Sequence, residues 1–301
     1  MGRILRPMTL SAHSTLITAE VLQRHLHDPA WRVIDVRHDL ADPAAGRRAY
    51  DAGHLPGALF ASLDDDLSGE PQWRTTPGGQ RHNGGRHPLP EREALRQRLQ
   101  ALGIGDDTQV VAYDAHGGMF AARLWWLLRW LGHERVAVLD GGLPAWQAAG
   151  LPLSTDVPAA PTPGRLTERA SLETLVDLDT VFGNLTTRRL QVVDARAPDR
   201  FRGENETLDP VGGHIPGAVN RFFKDNLQPD GRFKPADVLR AEWTALLPEP
   251  TRGIAQCGSG VTACHNLLAL AHAGLPGVGL YAGSWSDWVS DPGRPVATGA
   301  V

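Results

Sequence analysis

The run Gly253-Ile254-Ala255-Gln256-Cys257-Gly258-Ser259-Gly260-Val261-Thr262-Ala263 passes from a strand through a tight turn into a helix. Gly253–Gln256 reads as a short buried strand. Leu267, Leu268, Leu270 and Ala271 recur at helical spacing and predict a helix over Gly260–Ala273. A thiol therefore stands where a buried strand becomes a helix. The turn after it presents successive backbone N–H groups, which form a concave anion-binding nest, and the helix adds its positive N-terminal end. Both effects favour thiolate over thiol, the condition for a sulfur nucleophile. Two glycines let the backbone curl around the sulfur without a Cβ in the way. The plainer reading of Cys257 is a small buried core residue. A metal group of Cys257, Cys264 and His265 fits neither C-x2-C nor H-x3-H spacing, so no metal is expected.

The strand–turn–helix unit is not alone. Val33-Ile34-Asp35-Val36-Arg37 matches Val192-Val193-Asp194-Ala195-Arg196. Gly53-His54-Leu55-Pro56-Gly57-Ala58 matches Gly213-His214-Ile215-Pro216-Gly217-Ala218. Val138-Leu139-Asp140-Gly141-Gly142 with Trp146 matches Leu280-Tyr281-Ala282-Gly283-Ser284 with Trp288. Matches in the same order mean two copies of one fold. The copies span residues 1–150 and 167–301, and a Pro-rich stretch over residues 151–166 reads as an extended linker. Strands are predicted at Arg32–Asp35, Gln109–Tyr113, Val136–Leu139, Gln191–Asp194, Gly253–Gln256 and Val278–Tyr281. Helices are predicted at Ala19–His27, Glu91–Leu102, Gly118–Leu131, Leu172–Phe182, Pro235–Leu247 and Gly260–Ala273. Short apolar strands alternating with helices imply an α/β fold, a mainly parallel sheet covered on both faces in each copy. Ligands in such folds bind beyond the carboxyl ends of strands, where Cys257 lies.

Bulk properties narrow the function. A chain of 301 residues with a hydrophobic fraction of 42% can bury two cores. A net charge of -4 and pI near 6.3 argue against a nucleic-acid partner. The longest apolar run, Leu124 to Leu131, is interrupted by Arg129, so no membrane span is expected. Met1 to Met8 carries Arg3 and Arg6 without an apolar segment after them, so a signal peptide is not expected. The chain has two cysteines, Cys257 and Cys264, too close together to staple a fold, and a reducing cytoplasm suits them.

Cys-Gly-Ser-Gly-Val-Thr-Ala resembles the active-site loop of the 3-mercaptopyruvate sulfurtransferases, two-domain members of the rhodanese superfamily. The internal repeat extends that resemblance over nearly the whole chain. It implies two tandem rhodanese-like domains, a Cys257 persulfide intermediate, no cofactor, a small-molecule sulfur donor, and a thiol or cyanide acceptor, with a thioredoxin-like protein among the thiols. It also implies a non-catalytic first domain, because the counterpart of Cys257 in Val110–Gly118 is Asp114, which cannot carry sulfur. The alternatives are thiosulfate:cyanide transfer and a non-enzymatic sulfur relay. A cysteine phosphatase would need Arg six positions after the nucleophile, where Ala263 stands.

The same resemblance assigns roles. The loop residues Gly258, Gly260, Val261 and Thr262 bind the donor, and Arg200 in Asp199-Arg200-Phe201-Arg202-Gly203 matches the arginine that takes its carboxylate. Ser259, His87 and Asp64 match a proposed Ser–His–Asp relay that passes a proton to the leaving enolate. Arg196 is expected to be structural, since its repeat mate Arg37 lies in the silent copy. The family's second substrate arginine is replaced by Asp209, which as a bare carboxylate would repel an anionic donor; Arg202 and Arg221 are candidate substitutes. Neutral Gly258 and Ser259 favour a donor whose fixed charge lies away from the sulfur. The stretch Pro77 to His87 reads as a flexible loop.

Overall fold

The computed structural model describes residues 12–300, so the expectation about Met1 to Met8 lies outside the described residues. The first copy holds β1 (Leu16–Ile17), α1 (Ala19–Gln23), β2 (Trp31–Asp35), α2 (Ala45–Ala52), β3 (Leu59–Phe60), β4 (Arg74–Thr75), β5 (Arg81–His82), α3 (Arg92–Ala101), β6 (Gln109–Tyr113), α4 (Ala121–Trp130), β7 (Val136–Leu139) and α5 (Gly142–Ala148). The second holds α6 (Leu178–Thr187), β8 (Gln191–Asp194), α7 (Pro198–Arg202), β9 (Val219–Asn220), α8 (Ala236–Leu246), β10 (Gly253–Gln256), α9 (Thr262–His272), β11 (Gly279–Leu280) and α10 (Ser284–Trp288).

The two large sheets are parallel throughout, with order β1-β7-β6-β2-β3 in the first copy and β11-β10-β8-β9 in the second. A parallel bridge from Leu175 to Leu280 supplies the counterpart of β1. That bridge corrects the expected helix over Leu172–Phe182. Val176 N–H donates to Leu280 O at 2.8 Å, so the chain is extended there. The helix begins only after Asp177, whose carboxylate accepts from Thr180 N–H at 2.8 Å as a cap.

The repeated motifs have repeated structural work. Arg37 pairs with Asp35 and donates to Gly53 O at 2.7 Å; Arg196 pairs with Asp194 and donates to Gly213 O at 2.6 Å. In each copy this ties the end of a central strand to the Gly-His turn. The histidines of those turns stack on aromatic rings, His54 on Tyr50 at 4.0 Å and His214 on Phe201 at 3.8 Å. Strands β6 and β10 are buried along their whole length, as a strand covered on both faces must be.

The copies do not stand apart. Helices α4 and α9, buried along Ala121–Leu128 and Thr262–Leu270, pack on each other. One hydrophobic cluster runs from Ile34, Leu95 and Trp126 through this contact to Leu239, Trp243 and Leu268. Among the described residues no helix is long and apolar enough to cross a membrane.

Candidate active site

Cys257 follows the last residue of β10 and is 2% exposed. Three hydrogen bonds pin the backbone of Cys257 and Gly258. Cys257 N–H donates to Ser284 Oγ at 3.0 Å, Trp285 N–H donates to Cys257 O at 3.0 Å, and Ser286 N–H donates to Gly258 O at 2.9 Å. Ser284 holds a left-handed backbone, φ 54°, which a side chain adopts at a cost. Its repeat mate Gly142 sits at φ 57° without that cost. The second copy bears the strain and gains a hydroxyl beneath the nucleophile. The turn closes at Gly260, where φ is 80° and a Cβ would stand 2.2 Å from Ala282 O. Gly260 N–H points back and donates to Cys257 Sγ at 3.2 Å.

The first copy shows what such a loop holds. Asp114 is fully buried, and its carboxylate accepts four backbone N–H groups: His116 at 2.8 Å, Gly118 at 3.0 Å, Phe120 at 2.7 Å and Ala121 at 2.9 Å. The nest of the first copy is filled by its own side chain. In the second copy the shorter thiol stands in that place.

Ser259, His87 and Asp64 come together across the two copies. Ser259 Oγ lies 2.7 Å from His87 Nδ1, and His87 Nε2 lies 3.3 Å from Asp64 Oδ1. With Nε2–H directed at the carboxylate, Nδ1 is the acceptor and the Ser259 hydroxyl donates to it. Burial, with the positive charges of Arg123 and Arg86 added, pushes the His87 pKa down to about 3, so the ring is neutral near pH 7. His38 reaches Asp64 from the other side, Nε2 to Oδ2 at 4.0 Å. Among the described residues, His38, Asp64 and His87 offer ligand atoms within 4.8 Å of one another. Cys264 and His265 turn elsewhere: the Cys264 thiol donates to Gly260 O at 3.2 Å and His265 Nε2 to Gly117 O at 3.0 Å.

The stretch Pro77 to His87 is not a flexible loop. Strands β4 and β5 pair antiparallel, and the hairpin is bound to the second copy. Gly78 N–H donates to Asp179 at 2.7 Å, Gly84 N–H to Asp287 at 2.8 Å, and Arg86 N–H to Ser286 Oγ at 3.1 Å. Glycine and histidine content suggested mobility, but carboxylates more than a hundred residues away in sequence supply acceptors for its backbone. Those bonds fix His87.

A cavity of about 140 Å³ opens over the nucleophile, lined by Cys257, Gly258, Ser259, Val261, Thr262, Arg200 and Arg86 among others. Arg200 lines the cavity beside Cys257, and Glu206 holds it at 2.8 Å. Arg196 lines the cavity too, but it is locked to Asp194 and Glu206 and lies over the Trp285 ring, a structural setting. Asp209 does not face the cavity as a bare carboxylate. Its side chain is 3% exposed and accepts from Arg200 at 3.4 Å and, in a short contact, from Arg86. The two candidate substitutes are elsewhere: Arg202 pairs with Glu204 near the surface and Arg221 with Glu242. Sequence reading missed Arg86, Ser284 and the fully buried Arg123, which donates to Gly260 O at 3.3 Å and His87 O at 3.0 Å. The repeat offered a signal only for Ser284, through its pairing with Gly142.

A family model described as the rhodanese-like domain matches residues 18–149 and again 178–291. The chain is 49% identical over 291 residues to a protein of Pseudomonas aeruginosa named probable 3-mercaptopyruvate sulfurtransferase, across 94% of this chain and 98% of that one. It is 39% identical over 297 residues to a protein of Mycobacterium tuberculosis named putative thiosulfate sulfurtransferase, across 95% of this chain and 98% of that one. The crystal structure of SseA from Escherichia coli, described as a 3-mercaptopyruvate sulfotransferase, superposes with a TM-score of 0.72 at 31% identity, covering 91% of this chain and all of that one. With both halves matched by one domain model, and relatives of this identity aligned end to end, the chain belongs to the rhodanese family.

Proposed function

We propose that the protein is a sulfurtransferase that moves sulfane sulfur from 3-mercaptopyruvate, through a persulfide on Cys257, to a thiol or cyanide. The observation that carries this reading is the chain Ser259–His87–Asp64 standing beside Cys257 at the mouth of an arginine-lined cavity. Residues 1–150 form the non-catalytic domain, 151–166 the linker and 167–301 the catalytic domain. Two free, buried cysteines suit a reducing compartment such as the cytoplasm, where a thioredoxin-like dithiol could serve as acceptor.

The Cys257 thiolate attacks the donor sulfur, and the S–S bond forms as the donor's C–S bond breaks. The bonding pair leaves on carbon as the enolate of pyruvate. The proton on the transferred sulfur passes to Ser259 Oγ as Ser259 gives its own proton to the enolate carbon. The products are a persulfide anion and pyruvate. Neutral His87 orients the hydroxyl and shares its proton during the exchange, and Asp64 holds the His87 tautomer. The persulfide adds one atom beyond Sγ, which gives it the reach of an Asp side chain. Its outer sulfur then occupies the position that an Asp114 oxygen fills in the silent loop, among backbone N–H groups. Cyanide or a thiol takes the outer sulfur and restores the thiolate.

A second reading, thiosulfate as donor, draws on the Arg86 and Arg200 guanidinium groups, which would also hold a sulfonate. Purified protein assayed with each donor, with cyanide as acceptor, decides between them. The expected result is a higher kcat/KM for 3-mercaptopyruvate, with intact mass showing one added sulfur that Cys257→Ser loses. Full activity in Cys257→Ser would falsify the persulfide route, and a preference for thiosulfate would reassign the donor.

A further inference from the structure

We propose that Arg86, contributed by the silent domain, is a second donor-binding cation, which grips the donor's carboxylate together with Arg200, and that Asp209 positions it. This rests on the proposed use of a 2-oxo thiol donor and names a residue for it.

The two guanidinium groups converge on one point. A Cβ built on Gly258 would stand 3.0 Å from Arg86 Nη2, 3.6 Å from Arg200 Nη2 and 3.7 Å from Arg200 Nη1. Gly258 is the residue next to the nucleophile, and a side chain there would occupy the space into which both cations point. Arg86 Nη1 is taken up by Asp209 Oδ1, and Arg200 Nη2 reaches Asp209 Oδ2. Among the described residues Arg86 Nη2 makes no hydrogen bond, so the edge facing the loop is the edge available to a ligand. Both residues line the cavity that holds Cys257.

Charge order matters here. Asp209 is buried and is not among the residues lining the cavity; it meets Arg86 through Nη1, whereas Nη2 is the guanidinium atom nearest the loop. An anion at Gly258 therefore meets two cations first, and Coulomb attraction falls with distance. The carboxylate at 209 leaves the site attractive to an anion and works as a tether. It orients a guanidinium that would otherwise sample many rotamers on a half-exposed side chain. Arg86 is also fixed through its backbone, by Ser286 Oγ at 3.1 Å, and His87 follows it in the chain. One dipeptide of the silent domain thus delivers both a donor cation and the relay base.

The test compares 3-mercaptopyruvate with mercaptoacetone, which keeps the thiol and ketone but carries a neutral methyl group in place of the carboxylate. Arg86→Ala is expected to raise KM for 3-mercaptopyruvate about tenfold to a hundredfold, the range for losing one charge-assisted pair, with kcat moved far less. Its kcat/KM for mercaptoacetone should stay within about twofold of wild type. Arg86→Lys should recover part of the loss, and Asp209→Asn should raise KM for 3-mercaptopyruvate alone. An unchanged KM in Arg86→Ala overturns the proposal while leaving the sulfurtransferase reading intact. So does an equal loss with both donors, which would make Arg86 a structural residue. Should Arg86→Ala fail to fold, Arg86→Lys with a wild-type Tm gives the same comparison. Wild-type protein that forms its Cys257 persulfide from thiosulfate and not from 3-mercaptopyruvate overturns this proposal and the donor assignment together.

Discussion

Ser259 is a neutral hydroxyl at a position where a cation would serve a different leaving group. A carbanion equivalent must be protonated as it leaves, and sulfite need not be. Removing the hydroxyl therefore separates the two donors. Ser259→Ala is expected to lower kcat for 3-mercaptopyruvate by about a hundredfold to ten-thousandfold, the usual range for a positioned proton donor, with KM nearly constant. Turnover of thiosulfate, however slow, should change by less than about threefold. Parallel losses on both donors would show that Ser259 shapes the loop instead of moving a proton. Cys264 offers the complementary case. Burial pushes its thiol up to about 12, and its S–H already donates to Gly260 O at 3.2 Å, so it stays a neutral thiol. Cys264→Ser, which keeps a donor there, should retain most activity. Limited alkylation of the wild type should label Cys257 alone; a modified Cys264 would contradict its burial.

The strand-to-helix turn after β10 depends on Gly260. Gly260→Ala would place a methyl group 2.2 Å from Ala282 O on a backbone with φ 80°, where left-handed strain adds to the clash. The cost is expected on the order of 2–4 kcal/mol. A lower Tm with activity near zero is the expected result, and a wild-type Tm would mean that the loop can reshape. This unit, like the other central strands, was legible because a buried parallel strand writes a continuous apolar run. Gln109–Tyr113, Val136–Leu139, Gln191–Asp194 and Gly253–Gln256 fall where the run predicts them. Edge strands of two residues, such as β1, β3 and β9, carry no such run. Leu172–Val176 misled because Leu175 and Val176 bond to β11 before the Asp177 cap starts the helix. The hairpin of β4 and β5 was unreadable for the same kind of reason. Its order comes from Asp179 and Asp287, and no local pattern encodes a partner that far along the chain. The candidate site divides likewise. Cys257, Ser259 and Arg200 could be read from local motifs, whereas the Arg86–Asp209 pair spans 123 positions and exists only in the folded chain.

At the scale of the molecule, the two copies hold each other's loops. Arg123 on α4 donates to Gly260 O of the Cys257 loop, and His265 on α9 donates to Gly117 O of the Asp114 loop. His265 is fully buried, stacks on Phe233 at 4.6 Å, and faces Asn226 through its other nitrogen at 3.4 Å. Burial pushes its pKa down to about 4, as it pushes His87 to about 3. Both rings fold as neutral imidazoles, while the unfolded chain titrates them near 6.5. The folded form therefore binds fewer protons than the unfolded form between those values. The stability these histidines contribute is complete above about pH 6.5 and is lost as pH falls toward 4 and then 3. Asp140, Glu173 and Asp209 act with the opposite sign, because burial raises their pKa and acid relieves that cost. A single variant separates the histidine from this background. His265→Gln keeps a donor for Gly117 O and removes the titrating ring. Urea unfolding at a series of pH values from 7.5 to 4.5 is expected to show a wild-type midpoint that is level to about 6.5 and then declines. The variant should start lower, for lost packing on Phe233, and decline less steeply. Equal slopes would mean that acid opens the domain contact through groups other than His265.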